Sequence, residues 1–287
     1  MIAPFLGCAG RTGGRHQAMN ERTCVTISDI DALRRLYTQY ERVQAASPDL
    51  RREVLPNLIR QIPVEAGDRG AVIYSRLDET NADAAIQAQI AFFEQIGCDF
   101  EWKHYDYDTP PDLKARLAAH GFELEESETI MVLPLAQAPA ALLQPVTHAV
   151  RRVHDPDELD AIDYIKTAVW GEERDFITQF LRLTLTQAPE HISIYIAYAD
   201  ELPVSCGWIY FPTENPFASL WGGATLAAYR KQGYYTALLA VRVQEALARG
   251  RRYLTIDASP MSRPIVARFG FVQLAESTPC IWRVHGR

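Results

Sequence analysis

Leu226-Ala-Ala-Tyr-Arg-Lys-Gln-Gly-Tyr-Tyr-Thr-Ala-Leu-Leu-Ala240 decides how the rest of this chain is read. An apolar run, Ser219 to Leu226, precedes it and has the character of a strand. The apolar residues that follow Tyr234 have a helical character. A turn carrying Arg230 and Gly233 therefore falls at a strand-to-helix junction. The first N–H groups of a helix have no intrahelical partner, and the helix dipole favours an anion beside them. Such a turn is suited to holding a phosphate. Read alone, it is also compatible with a surface loop in which Gly233 only eases the entry to an ordinary helix.

The downstream sequence narrows the choice. Arg252-Tyr-Leu-Thr-Ile-Asp257 reads as a second strand, a short helix follows, and Arg268-Phe-Gly-Phe-Val272 leads to a closing strand. This ordered set resembles the acetyl-coenzyme A binding core of the GNAT N-acetyltransferases, whose cradle Arg/Gln-x-x-Gly-x-Gly/Ala is matched by Arg230-Lys-Gln-Gly233-Tyr-Tyr235. The resemblance runs from about Ala149 to the C-terminus. It implies that the amides of Gln232, Gly233, Tyr234, Tyr235 and Thr236 hold a pyrophosphate and that Arg230 and Lys231 add positive charge. It also implies that the backbone of Ala224, Thr225 and Leu226 pairs with a pantetheine arm as an added strand. Acetyl-CoA is then a co-substrate, and the acceptor a small amine. Tyr235 departs from the pattern, because the family has Gly or Ala there most often; its N–H remains, but its side chain must turn away from the phosphates.

The catalytic positions depart further. Where the family sometimes has a glutamate early on the strand, this chain has Ser219, which can orient a water but is no base near neutral pH. The tyrosine that often protonates the leaving thiolate is replaced by Val266, and the frequent Asn of the short helix by Ser259. Glu214, in the turn before the strand, is a candidate base within reach of an amine, or a solvated turn residue. Glu172, Glu173 and Asp175 are candidates for attracting a cationic acceptor or for capping a helix. Trp170, Trp208, Tyr210 and Trp221 form an aromatic wall or pack in the core. Two functions follow from the resemblance: an acetyl-CoA dependent N-acetyltransferase, or a non-catalytic GNAT-like sensor or scaffold that binds an acyl-CoA. A different acyl donor is also compatible.

The N-terminal half echoes this organisation. Helices are expected over Asp29 to Ala45, Asp49 to Gln61, Thr80 to Ile96 and Pro110 to His120, with strands at Gly70 to Ser75, Phe100 to Tyr107 and Thr129 to Leu135. Asp108 to Phe122 aligns without a gap to Asp257 to Phe271, and the two Gly-Phe pairs lie 149 residues apart. The expected architecture is α/β (α+β): two GNAT-like domains, each a mixed, mostly antiparallel twisted sheet flanked by helices. Residues 1–22 read as a disordered tail, with Met19 an alternative start. Residues 23–136 read as a degenerate domain, 137–146 as a linker and 147–287 as the acetyltransferase domain. At the N-terminal counterpart of the cradle the chain reads Asp78-Glu-Thr-Asn-Ala-Asp-Ala-Ala85, whose acids repel a pyrophosphate, so the cofactor is assigned to the C-terminal half.

Composition limits the alternatives. A net charge of −7 lacks the positive field that nucleic acid requires, and mildly favours a cationic acceptor. The five scattered cysteines form no Cys-x-x-Cys or zinc spacing, which fits reduced thiols in a cytoplasmic protein with no metal. No apolar run approaches the ~20 residues of a membrane helix. A duplicated chain can imitate a dimer within itself, so a monomer or a homodimer is expected.

Overall fold

The computed structural model describes residues 27–46, 50–64, 69–171 and 175–284. Its first element, α1 (Ile27–Tyr37), runs on into a π-helical turn, Thr38–Val43. Leu33 and Tyr37, one turn apart on the same face, are buried, and the expected amphipathic helix is present. The helix expected from Asp49 to Gln61 is not formed. Leu50–Val54 (β1) and Leu58–Pro63 (β2) are antiparallel strands, turned where the Leu55 N–H donates to the Leu58 carbonyl, 2.9 Å. Pro56 sits in that turn; inside a helix it would delete one hydrogen bond and crowd the preceding turn. Glu53 lies opposite Arg60 in the register and accepts its Nε–H at 2.8 Å.

From β3 (Gly70–Ser75) onward the expected elements are found, within a few residues at their ends. They are α2 (Ala82–Gln95), β4 (Phe100–Tyr105), α3 (Leu113–Ala119) and, after a short strand β5 (Glu123–Leu124) that was not expected, β6 (Glu128–Pro134). Two 3-10 turns, Leu135–Gln137 and Ala140–Leu142, carry the chain across, with Leu135 and Leu142 buried. Then come β7 (Ala149–Arg152), α4 (Asp160–Trp170), α5 (Asp175–Gln187), β8 (Ile192–Ala199) and β9 (Leu202–Tyr210). The chain ends with β10 (Phe217–Thr225), α6 (Tyr234–Ala248), β11 (Tyr253–Ala258), α7 (Arg263–Ala267) and β12 (Val272–Trp282).

All the described strands join in one sheet, in the order β1-β2-β3-β4-β12-β6-β11-β10-β9-β8-β7, with β5 paired to β12. The order shows an exchange. β6 closes the first half in sequence yet pairs with β11 of the second half, Ala258 opposite Thr129 through Tyr253 opposite Pro134. β12 closes the second half yet pairs with β4 of the first, Ser277 opposite Tyr105 through Trp282 opposite Phe100. The two exchanged strands pair with each other at the centre. Each half therefore completes the other's sheet, and pulling them apart would expose unpaired N–H and C=O groups on five strands, β5 among them.

The repeat is visible in the backbone. Gly121 and Gly270 both end a short helix with positive φ, +93° and +86°, and the phenylalanine after each is buried. The ungapped alignment holds through these helices but not at its start. Asp257 lies inside β11, whereas Asp108 lies beyond β4 in a buried ion pair with Arg42, 2.7 Å. One face of the central strands is covered by α1, where Tyr37 packs edge-on to Phe217.

Candidate functional site

β10 and β11 are parallel neighbours only from Phe217 to Ser219, opposite Tyr253 to Thr255. Beyond that they separate while both continue, so the sheet opens into a cleft. Two sequence features force the separation. The register of β10 on β9 shifts between Trp221 and Ala224, and Gly222 has φ +64°, with its absent Cβ only 1.9 Å from the Trp208 ring. No side chain other than hydrogen fits there. The cleft is a cavity of about 690 Å³ reaching from the start of α6 to Asp257 and Glu128.

The cradle lies at one end of this cavity. Gly233 is the N-cap of α6 at φ +90°, and no side chain caps the helix. The first-turn residues Tyr234, Tyr235 and Thr236 line the cavity with Gly233, Arg230 and Lys231. Arg230 donates from Nε to the Thr225 carbonyl at 3.1 Å, which fixes its charge at the mouth. Gln232 does not line the cavity: its side chain donates to the Ala228 carbonyl, and its own carbonyl contacts His148 Nε2 at 2.9 Å. Tyr235 packs against the core below α6 beside Gly223, and burial pushes its phenol pKa up. The side chain of this departure from the pattern thus has a place of its own.

Along β10, Ala224 and Thr225 line the cavity and Leu226 does not. Leu226 uses both backbone groups internally: its N–H donates to Val204 at 2.9 Å and its carbonyl accepts from Tyr229. Alternation then turns the Thr225 N–H to the open edge. Among the catalytic candidates, Ser259 lines the cavity, with its hydroxyl 3.2 Å from that of Ser262. Ser219 lies below it in the paired part of β10, accepting from Trp221 Nε1 at 2.9 Å, and Glu214 sits in the preceding turn at φ +50°, outside the lining. Val266 is buried in the core. Trp170 and Trp221 line the cavity with outer surface exposed, whereas Trp208 is buried. Glu172 and Glu173 lie outside the described residues, as does the side chain of Asp175.

Three lining residues escaped sequence reasoning. Arg242 of α6 is buried and donates from Nε to Leu238 O and from Nη1 to Trp208 O. Burial lowers its pKa, and Gly207 opposite makes room for its guanidinium. The signal was a lone arginine in an apolar helix face. Asp257 and Glu128 mark the other end of the cavity, and Glu128 arrives there only because β6 is exchanged. Lys103 Nζ of β4 meets Asp257 at 2.6 Å. Burial opposes the lysine's charge, but the carboxylate outweighs it and holds the ammonium pKa well above its usual value. Burial also pushes Glu128 above the usual carboxylate range, with Asp257 adding to it.

No protein-family model matches the sequence, and no curated protein does. Solved structures do match. A GCN5-related N-acetyltransferase from Kribbella flavida superposes with a TM-score of 0.65 at 16% identity, covering 89% of this chain and 96% of that one. A tandem GNAT protein from the clavulanic acid biosynthesis pathway gives 0.57 at 15% identity, covering 90% and 89%. A GCN5-related N-acetyltransferase from Sphaerobacter thermophilus gives 0.56 at 12% identity, covering 80% and 78%. The fold is therefore the GNAT fold. It is similar to the tandem form of that fold over nearly the whole chain. Among the described residues no helix is long and apolar enough to cross a membrane.

Proposed function

We propose that the chain is an acetyl-CoA dependent N-acetyltransferase whose single cofactor site lies in the C-terminal half, residues 147–287, with 23–136 as a degenerate GNAT-like half. The observation that carries this reading is the uncapped N-terminus of α6, reached through Gly233 at φ +90° and flanked by Arg230 and Lys231 on the cavity wall. Backbone N–H groups and a helix dipole aimed at one place suit a pyrophosphate, and the open edge of β10 suits a pantetheine amide. Acetyl transfer forms a C–N bond from a neutral amine as the thioester C–S bond breaks, and the surplus proton of the nitrogen ends on the thiolate. Holding the two reactants together supplies much of the rate. Ser259, on the cavity wall, would orient a water, and the buried charge of Arg242 would favour negative charge developing in the cavity; Ser219 and Glu214 would act only through intervening water.

Calorimetry with acetyl-CoA tests cofactor binding, and thiol release with a panel of amines tests turnover. No binding would sink the reading. Normal affinity without thiol release would favour the second function, an acyl-CoA-binding sensor, which the absent glutamate and tyrosine motivate. The protein is proposed to act in the cytoplasm, as a monomer or homodimer, on small molecules.

A further inference from the structure

The far end of the cavity, away from the cradle, lies on the seam where the halves exchange strands. Cross-strand partners share a face of the sheet, and here the registers place Tyr105, Ser277 and Glu128 side by side. Asp257 of β11 and Lys103 of β4 lie on the same face and close over it as an ion pair. Glu41, from the turn after α1, approaches from above, accepting from Asn215 Nδ2 at 2.7 Å. Glu101 lies two residues along β4 from Lys103, on the same face. Four carboxyl groups from four elements thus surround one lysine, with Arg251 near Glu41 and Arg69 near Glu101. The hydroxyls of Tyr37, one turn before Glu41, and Tyr105 meet at 3.3 Å beside them.

Two further observations point to a ligand. The Ser277 hydroxyl, on a fully buried residue between Tyr105 and Glu128, has no hydrogen-bond partner among the described residues. A buried hydroxyl without a partner is costly, and a bound donor or acceptor would satisfy it. The cavity itself continues from the cradle to Glu128 and Asp257 past the apolar side chains of Leu220, Trp221 and Ile256. Lys103 also shows which chemistry the seam accepts: an ammonium on an alkyl stem, seated against a carboxylate. It answers one acid. Burial leaves Glu41, Glu101 and Glu128 with raised pKa values. No group of three or more acids, histidines or cysteines among the described residues could hold a metal ion, which leaves an organic cation as the charge these acids can take.

We propose that the seam is the acceptor end of the cavity and that it takes a linear aliphatic diamine, one ammonium held by the carboxylates and the other nitrogen turned toward the cradle. This assignment rests on the acetyl-transfer reading for the second nitrogen, while the cation site stands on the seam alone. Acetylation of that nitrogen removes one of the two positive charges, which weakens the product's hold on the acids and favours its release. An acceptor with its own carboxylate is excluded by like-charge repulsion.

The test is calorimetry on the full chain without acetyl-CoA, using 1,4-diaminobutane, 1-aminobutane and 4-aminobutanoate as probes. The diamine should bind at least about tenfold more tightly than the monoamine, the range of a charge-assisted hydrogen bond, and the amino acid not at all. Glu128→Gln should weaken the diamine by about tenfold and leave acetyl-CoA affinity unchanged, which also reports that the variant is folded. Ser277→Ala, a gentler change, should weaken it by about threefold. Equal binding of diamine and monoamine, or unchanged diamine affinity in both variants, would overturn the seam. Diamine binding without acetyl-CoA binding would overturn acetyl transfer and keep the cation site; the converse would overturn the seam alone.

Discussion

Two helices of this molecule, α2 and α6, follow a strand at equivalent points of the repeat, and their first turns are built in opposite ways. At the start of α2 the Asp78 carboxylate accepts from the N–H groups of Thr80 and Asn81 at 2.9 and 3.1 Å, and from their side chains as well. Those bonds, the Thr80 hydroxyl's foremost, hold its pKa below the usual carboxylate value. The chain thus sets its own anion in the turn just before the helix. At the start of α6 no side chain does so, and Gly233 brings bare backbone to the cavity. Neither helix has a side-chain cap; the positive end of the dipole has a carboxylate in the turn before it in one half and bare backbone at a cavity wall in the other. The first half contributes differently, by sending Lys103 and Glu128 to the far end of the cavity.

The harshest way to break this contrast is to give α6 an anion of its own. Gly233→Glu adds a Cβ about 2.9 Å from the His148 ring, at a φ that side chains rarely adopt, and a charge where phosphate is proposed. Acetyl-CoA affinity should fall by at least about a hundredfold, combining strain and like-charge repulsion. Unchanged affinity by calorimetry would remove the cradle from the cofactor site.

Next in size is the burden the seam places on stability. Burial pushes Glu41 from its usual 4.5 to about 7, although the Asn215 amide works the other way. A carboxyl raised in the folded state stays protonated there while the unfolded chain ionises. Stability should therefore decline as pH rises from about 4.5 through about 7, by about 3 kcal/mol for this group, and level off above. Glu41→Gln should flatten that part of a Tm-against-pH curve. A wild-type curve that rises over the same window, and rises equally in the variant, would show that Glu41 does not set it.

A smaller effect sharpens the geometry of the cradle. His148 Nε2 contacts the Gln232 carbonyl at 2.9 Å, and its ring meets Tyr234 edge-on, 4.8 Å between centroids. It braces the turn from outside. His148→Ala should raise the acetyl-CoA dissociation constant by about threefold to tenfold, the worth of one hydrogen bond to a loop. No change would mean that Gly233 and its backbone hold the turn unaided.

Much of this contrast was legible in the sequence, because it depends on local chemistry. The position of Gly233 and the acids of Asp78-Glu-Thr-Asn81 are short-range signals, and the structure places both at helix starts. The hairpin of β1 and β2 departs from the expected helix because strands of five and six residues are too short for their apolar spacing to separate the two periods, and Pro56 between them breaks a helix. The strand exchange left no local trace. β6 and β12 have the same alternation whichever half they join, so their partners are chosen by long-range packing. Glu128, Asp257 and Lys103 could not be grouped for that reason: they come together only through the exchange.

The smallest effect tests the comparison from its other side. Asp78→Ala removes the internal anion from α2 without adding the backbone that α6 presents. Neither Arg230 nor Gly233 has a counterpart there, and α2 begins behind Asn81, which is not in a left-handed conformation. The variant should lose a little thermal stability near neutral pH, where the wild-type carboxylate is ionised and bonded, progressively less as pH falls below the usual aspartate value, and nothing once pH is below the depressed folded-state pKa. Its binding stoichiometry should stay at one acetyl-CoA per chain. A second equivalent of cofactor bound by Asp78→Ala would mean that the N-terminal half is held off by one carboxylate alone, and that the missing glycine turn matters less than the charge.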